Sequence, residues 1–102
     1  MGTYIGGVPG AVIGSTLGSA LGSMTEDLVY NKGKSVEEIA KSAAKSAAWG
    51  LIGGLSSTYI NKAIDIANEA GSAAQTLMQY DEKFGKALKI FFEQLVNILS
   101  SQ

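Results

Sequence analysis

The sequence contains no cysteine and no histidine, and this absence removes whole classes of chemistry. Disulfides, thiolate and imidazole metal sites, cysteine nucleophiles and the usual catalytic triads each need one of these residues. Paired carboxylates do occur, but each pair lies at a predicted helix end or beside lysines, as expected of a solvated face. We therefore predict that the protein is not an enzyme and that it holds no metal and no cofactor.

Arginine is also missing, because all 8 basic residues are lysines, and the net charge is only −1. The planar guanidinium group of arginine is the usual bidentate ligand of phosphates and guanine edges. Without it, and without an excess of positive charge, the chain has no electrostatic footprint for nucleic acid. We expect no nucleic-acid partner.

Bulky apolar residues are few, since aromatic residues make up 8% of the chain and much of its apolar fraction is alanine and glycine. A chain of 102 residues is long enough for one domain and too short for two. We predict a single domain over 1–102. Its core is expected to be thin, so that a partner or a bilayer contributes to its burial.

The first 25 residues carry no charge, and glycine recurs among them at every fourth position. Pro9 suits the first turn of a helix, so we predict that regular helix starts near Val8 after a flexible lead, 1–7. A helical glycine costs roughly 0.8–1 kcal/mol relative to alanine, and close approach of a partner helix offsets that cost. The predicted helix-packing stripe, here called the glycine ladder, consists of Gly10, Gly14, Gly18 and Gly22.

A second helix with a weaker stripe of small residues follows a predicted turn at 31–34. Ser35 and Glu38 have the spacing of a capping box, which places the start of this helix at Ser35. Two small-residue stripes joined by a short turn favour a glycine-zipper helix hairpin over 8–60, in an all-α fold. The small residues of the second stripe are Ser42, Ser46, Gly50 and Gly54.

Two further helices are predicted after this hairpin. The pairs Gly53–Gly54 and Ser56–Ser57 indicate a break, and Gly71–Ser72 indicates a weaker one. Between them we expect a short helix over 58–71, and after them an amphipathic C-terminal helix over 73–99. The apolar stripe of the last helix consists of Leu77, Phe84, Leu88, Phe91, Leu95 and Ile98.

The larger apolar residues of the hairpin are expected to face lipid or a partner. Residues 9–25 span about 26 Å as a helix, slightly less than the roughly 30 Å hydrocarbon core of a bilayer. Insertion is therefore expected as a hairpin coupled to oligomerisation, and not as a permanent single-pass anchor. The residues predicted to face lipid or a partner are Val12, Ile13, Leu17, Leu21, Trp49, Leu51 and Ile52.

The two-part pattern of the hairpin resembles a known kind of toxin segment. It combines the run 10–14, with glycine again at 18 and 22, the turn 31–35, and the run 43–54 ending in Gly50-Leu51-Ile52-Gly53-Gly54. Over about residues 6–60 it resembles the glycine-zipper hairpins near the C-termini of bacterial polymorphic toxins, including those with LXG-type leaders. More loosely, it is similar to Gly-rich pore-forming bacteriocins. The resemblance implies a secreted protein that inserts into a target-cell membrane and damages it without enzymatic activity.

Three functional hypotheses follow. The first is a membrane-active, pore-forming or depolarising domain that self-associates through GxxxG packing and has lipid and further copies of itself as partners. Its own C-terminal helix, or an immunity or chaperone protein, would keep it soluble beforehand. The second is a structural helical subunit of a filament or capsid-like assembly, and the third is a soluble helical interaction module. Permeabilisation of liposomes separates the first hypothesis from the other two.

Overall fold

The computed structural model describes residues 2–30 and 33–101, and the side chains among them from residue 10 onward. Within these ranges it contains four helices and no strand, which confirms the predicted all-α fold. The predicted turn residues Asn31 and Lys32 lie outside the described residues. The helices are α1, Gly2–Tyr30; α2, Val36–Gly54; α3, Ser57–Leu77; and α4, Glu82–Ser100.

Helix α1 begins earlier than the sequence predicts. It starts at Gly2 and not near Val8, so the expected flexible lead over 1–7 is wrong for residues 2–7. Pro9 therefore lies inside the helix, where its missing N–H removes one hydrogen bond from the backbone ladder. Because Pro9 is still close to the N-terminal end, helical backbone precedes it for only seven residues.

The start and the end of α2 agree with the local signals. Ser35 is the N-cap, and its side-chain oxygen accepts a hydrogen bond from the Glu38 N–H at 3.1 Å. The helix ends at Gly54, and Leu55 and Ser56 are extended, which confirms the predicted break. An N-cap serine satisfies one of the backbone N–H groups that a helix start leaves unpaired, and this fixes the beginning of α2.

The boundary between α3 and α4 lies later in the chain than the sequence predicts. The predicted break at Gly71–Ser72 is wrong, because α3 continues to Leu77. The chain turns at residues 78–80, and Asp81 is the N-cap of α4, with its Oδ1 accepting a hydrogen bond from the Phe84 N–H at 3.1 Å. Residues 73–99 are consequently not one helix, and Leu77 belongs to α3.

The core forms where α2 lies between α1 and α4, with α3 packed on the other side of α4. Phe91 and Leu95 of the predicted stripe are fully buried, and Phe84, Leu88 and Ile98 are half-buried against them. Phe92 is also buried, and its ring meets that of Phe91 edge to face at 4.9 Å. The stripe of the last helix therefore packs into the chain's own core.

Candidate functional site

The outward surface of α1 consists of a repeated glycine–serine pair. The pair occurs at 14–15, 18–19 and 22–23, and all six residues are exposed. No charged residue lies between 10 and 25. We call this surface the glycine–serine face; its members are Gly14, Ser15, Gly18, Ser19, Gly22 and Ser23. The serines recur with the same spacing as the glycines, and this shared spacing is the signal in the sequence that marks the whole face.

In the part of the chain that the structure describes, the three glycines of this face have no packing neighbour from another helix. A Cβ atom built on Gly14, Gly18 or Gly22 would meet nothing within 4 Å. Gly10, the remaining member of the ladder, is half-buried. The ladder therefore leaves open space where a second helix can approach the backbone of α1 closely.

Two glycines of α2, Gly50 and Gly54, behave differently, because they do pack against α1. A Cβ on Gly50 would lie 2.9 Å from Thr16 Cγ2, and one on Gly54 would lie 2.9 Å from Val12 Cγ1. Side chains at these two positions would collide with α1. Gly50 and Gly54 thus allow the two helices to lie at short range.

The expected pairing of the two stripes inside the hairpin is consequently wrong for the α1 ladder. Thr16 contacts α2, and Thr16 lies two residues from both Gly14 and Gly18, about 200° around a helix. Burial of larger side chains decides this orientation, because a leucine or methionine removes far more apolar surface from water than a glycine. The inner face of α1 carries Ile13, Leu17, Ala20, Met24 and Leu28, and the glycines are turned outward.

A shallow groove runs between α1 and α2 along one edge of the glycine–serine face. Its volume is about 440 Å³. Ser46 of the second stripe lines it, whereas Ser42 is exposed elsewhere on α2. The lining is uncharged and rich in hydroxyl groups, which both donate and accept hydrogen bonds. It consists of Ser15, Thr16, Ser19, Ala20, Ser23, Ala43, Ser46 and Ala47.

Most residues predicted to face lipid or a partner lie inside this structure. Ile13, Leu17 and Leu51 are buried, which corrects their expected outward position. Trp49 alone of that set is exposed, at 54%. The others are half-buried and packed against the core; they are Val12, Leu21 and Ile52. Lipid contact by these side chains would require the helices to separate.

The described part of the chain shows neither a metal site nor a membrane-spanning helix. No group of acidic residues there is arranged to hold a metal ion, and no polar side chain is buried. None of the helices in the same ranges combines the length and apolar character needed to cross a bilayer. Packing within the described fold gives no reason for the three glycines of the glycine–serine face.

Comparisons with known protein families, with curated proteins and with solved structures found no match. The described residues form a small four-helix, all-α fold, and a fold of this kind does not by itself imply a function.

Proposed function

We propose that this chain is a membrane-active, pore-forming domain that self-associates through the glycine–serine face of α1. The observation that carries the proposal is the open space beside Gly14, Gly18 and Gly22. Three helical glycines cost the fold about 2–3 kcal/mol relative to alanine, and the chain itself gains no packing from them. Such a departure from local preference is characteristic of a functional surface.

Small residues spaced by four allow two helix backbones to approach closely, which is how helices associate in membranes. Van der Waals contact and weak Cα–H···O bonds then stabilise the pair. The serines beside the glycines supply hydroxyl groups to the same assembly, and these suit the wall of a water-filled path. A second copy of α1 is therefore the partner that this face fits best.

Exposed aromatic residues supply the contact with the lipid surface in this proposal. Trp49 on α2 and Tyr59 on α3 are 54% and 40% exposed, and both lie near the connection between these helices. Tryptophan and tyrosine are enriched where proteins meet the headgroup region of a bilayer. An immunity or chaperone protein that covers the glycine–serine face would keep the domain inactive.

A second candidate function is a structural subunit that assembles without lipid. The finding that favours it is the exposed, uncharged glycine–serine face itself, because close approach of two helices at such a face does not require lipid. The same face would then join subunits in water, and the protein would polymerise without releasing the contents of vesicles.

Dye release from anionic liposomes tests the first function against the second. We expect dose-dependent leakage with the natural sequence, and at least about a tenfold loss of leakage with Gly14→Leu/Gly18→Leu, because bulky side chains prevent close helix approach. Gly53→Leu is the matched control, since Gly53 is also an exposed helical glycine whose Cβ would meet nothing within 4 Å.

Circular dichroism has to show that all three proteins remain helical. Full leakage by the double variant would contradict the role of the glycine–serine face. Absence of leakage with the natural sequence, together with assembly in water, would replace the first function by the second.

A further inference from the structure

The four helices form two hairpins that meet mainly through one pair of helices. Helices α1 and α2 pack on each other, as do α3 and α4, and α2 packs on α4. Contact between α2 and α3 is slight. Ala48 lies at the α2–α4 interface, because it is fully buried and stands two residues, about 200°, from Gly50, which faces α1.

One hydrogen bond ties the two hairpins together away from this interface. Lys83 Nζ, at the start of α4, donates to the carbonyl oxygen of Leu28, in the last turn of α1, at 3.0 Å. Carbonyls in a last turn have no partner within their own helix, and a positive charge there also interacts favourably with the helix dipole. Side-chain hydrogen bonds of a local kind join positions at most four apart in sequence; they are those of Ser15, Thr25, Ser35, Asp81 and Ser101.

The covalent connection between the hairpins lies at the opposite end of the molecule. It consists of Leu55 and Ser56, both extended, and the Ser56 side chain makes no capping hydrogen bond. Helix α2, with 19 residues, separates this connection from the Lys83 contact by about 28 Å. An extended two-residue link between two helices has the backbone freedom of a hinge.

From this arrangement we infer that the protein opens as two helical hairpins hinged at Leu55–Ser56, and that the bond between Lys83 and Leu28 adds to the α2–α4 packing that holds them shut. Opening uncovers the apolar surface of α2 around Ala44 and Ala48, together with the α4 surface around Phe91 and Leu95. The α1–α2 pair stays intact, because Gly50 and Gly54 keep it closely packed. The membrane step rests on the proposed function: the uncovered surfaces are those that then enter the bilayer.

Thiol labelling measures this opening without lipid, because the chain has no cysteine of its own. Three buried alanines serve as single-cysteine probes: Ala48 between the hairpins, Ala47 inside the first and Ala67 inside the second. The rate at which a buried thiol reacts reports how often its surroundings open. Ala44→Cys is a second probe between the hairpins, in case Ala48→Cys does not fold.

With Lys83→Met we expect the thiol at position 48 to be labelled roughly tenfold faster. A change of this size corresponds to the free energy lost with one charge-assisted hydrogen bond. Labelling at 47 and 67 should keep its rate. Lys86→Met is the matched control, because it removes the same charge from an exposed position on α4. Equal acceleration at all three probes would indicate global unfolding, and no acceleration at 48 would show that the bond does not hold the hairpins; either result overturns the inference.

Two cross-linked variants connect opening to membrane activity. The pair Lys41→Cys/Gln94→Cys, joined by a short thiol-reactive cross-linker, bridges α2 and α4 across a groove that both residues line. The pair Thr16→Cys/Gly50→Cys forms a disulfide within the first hairpin, since a Cβ on Gly50 lies 2.9 Å from Thr16 Cγ2. We expect the first cross-link to abolish dye release and the second to preserve it.

Leakage that persists with the α2–α4 cross-link would overturn opening as the step before insertion. If the natural sequence releases no dye, the proposed function fails, and the labelling rates still decide whether the hairpins open.

Discussion

Replacing Gly85 with alanine is expected to lower the free energy of unfolding by about 1–3 kcal/mol, the usual cost of overpacking a filled site. Gly85 is buried in the first turns of α4, beside the turn that leads into that helix. A Cβ there would lie 2.6 Å from the Met78 backbone nitrogen and 2.7 Å from the Met78 Cα. Because these are backbone atoms, no rotation of a side chain relieves the collision, and the turn itself has to move.

Gly71→Ala is the control for this substitution. A Cβ on Gly71 would lie 3.5 Å from Phe92 Cβ, an ordinary contact distance. The better helix propensity of alanine should then raise stability by up to about 1 kcal/mol. Urea denaturation of both variants measures the difference, and a Gly85→Ala protein as stable as the natural one would show that α3 and α4 are not closely joined at Met78.

The triple variant Gly14→Ala/Gly18→Ala/Gly22→Ala is expected to stabilise the isolated protein by about 2–3 kcal/mol. Each new methyl group enters open space, and α1 gains helix propensity at three interior positions without any collision. Thermal and urea unfolding at low protein concentration measure the effect, since association would otherwise contribute to stability.

Gly50→Ala is the comparison variant, and we expect it to lower the stability of the protein instead of raising it. Its methyl group would come within 2.9 Å of Thr16 Cγ2, so the gain in helix propensity is offset by crowding between α1 and α2. If the triple variant were destabilised and Gly50→Ala were stabilised, the outward orientation of the α1 glycines would be incorrect.

The elements that the sequence predicted well are those set by local chemistry. Ser35 and Glu38 indicated the start of α2, and the small residues around Gly53–Gly54 indicated its end. Hydrogen bonds at a cap and backbone freedom at a break involve only neighbours in sequence, so a pattern of a few residues is enough to predict them.

Two local signals in the sequence place the boundary between α3 and α4 at different residues. Gly71 indicated a break, whereas it lies inside α3, where a Cβ would make an ordinary contact with Phe92. Asp81, followed by Glu82 in the first helical turn, is a helix-start signal that the sequence analysis passed over. Glycine alone does not distinguish an interruption of a helix from a close helix contact, because both favour the same residue.

The sequence alone does not predict which way the glycine ladder of α1 faces. Large apolar residues at 13, 17, 24 and 28 form a second stripe beside the ladder, and only one of the two stripes can face α2 and the core. Propensities and spacing describe both stripes equally well. Tertiary packing decides between them, through the larger apolar area that Leu17 and Met24 remove from water.

Disulfide trapping on the glycine–serine face tests self-association most directly, because any introduced cysteine is the only one in the chain. Ser19→Cys places a thiol in the middle of the face, and Ser72→Cys places one at an exposed position on α3. With anionic vesicles and a mild oxidant, the account predicts that Ser19→Cys forms a disulfide-linked dimer and that Ser72→Cys remains a monomer. Equal dimer yields from the two variants, or none from Ser19→Cys, would contradict it.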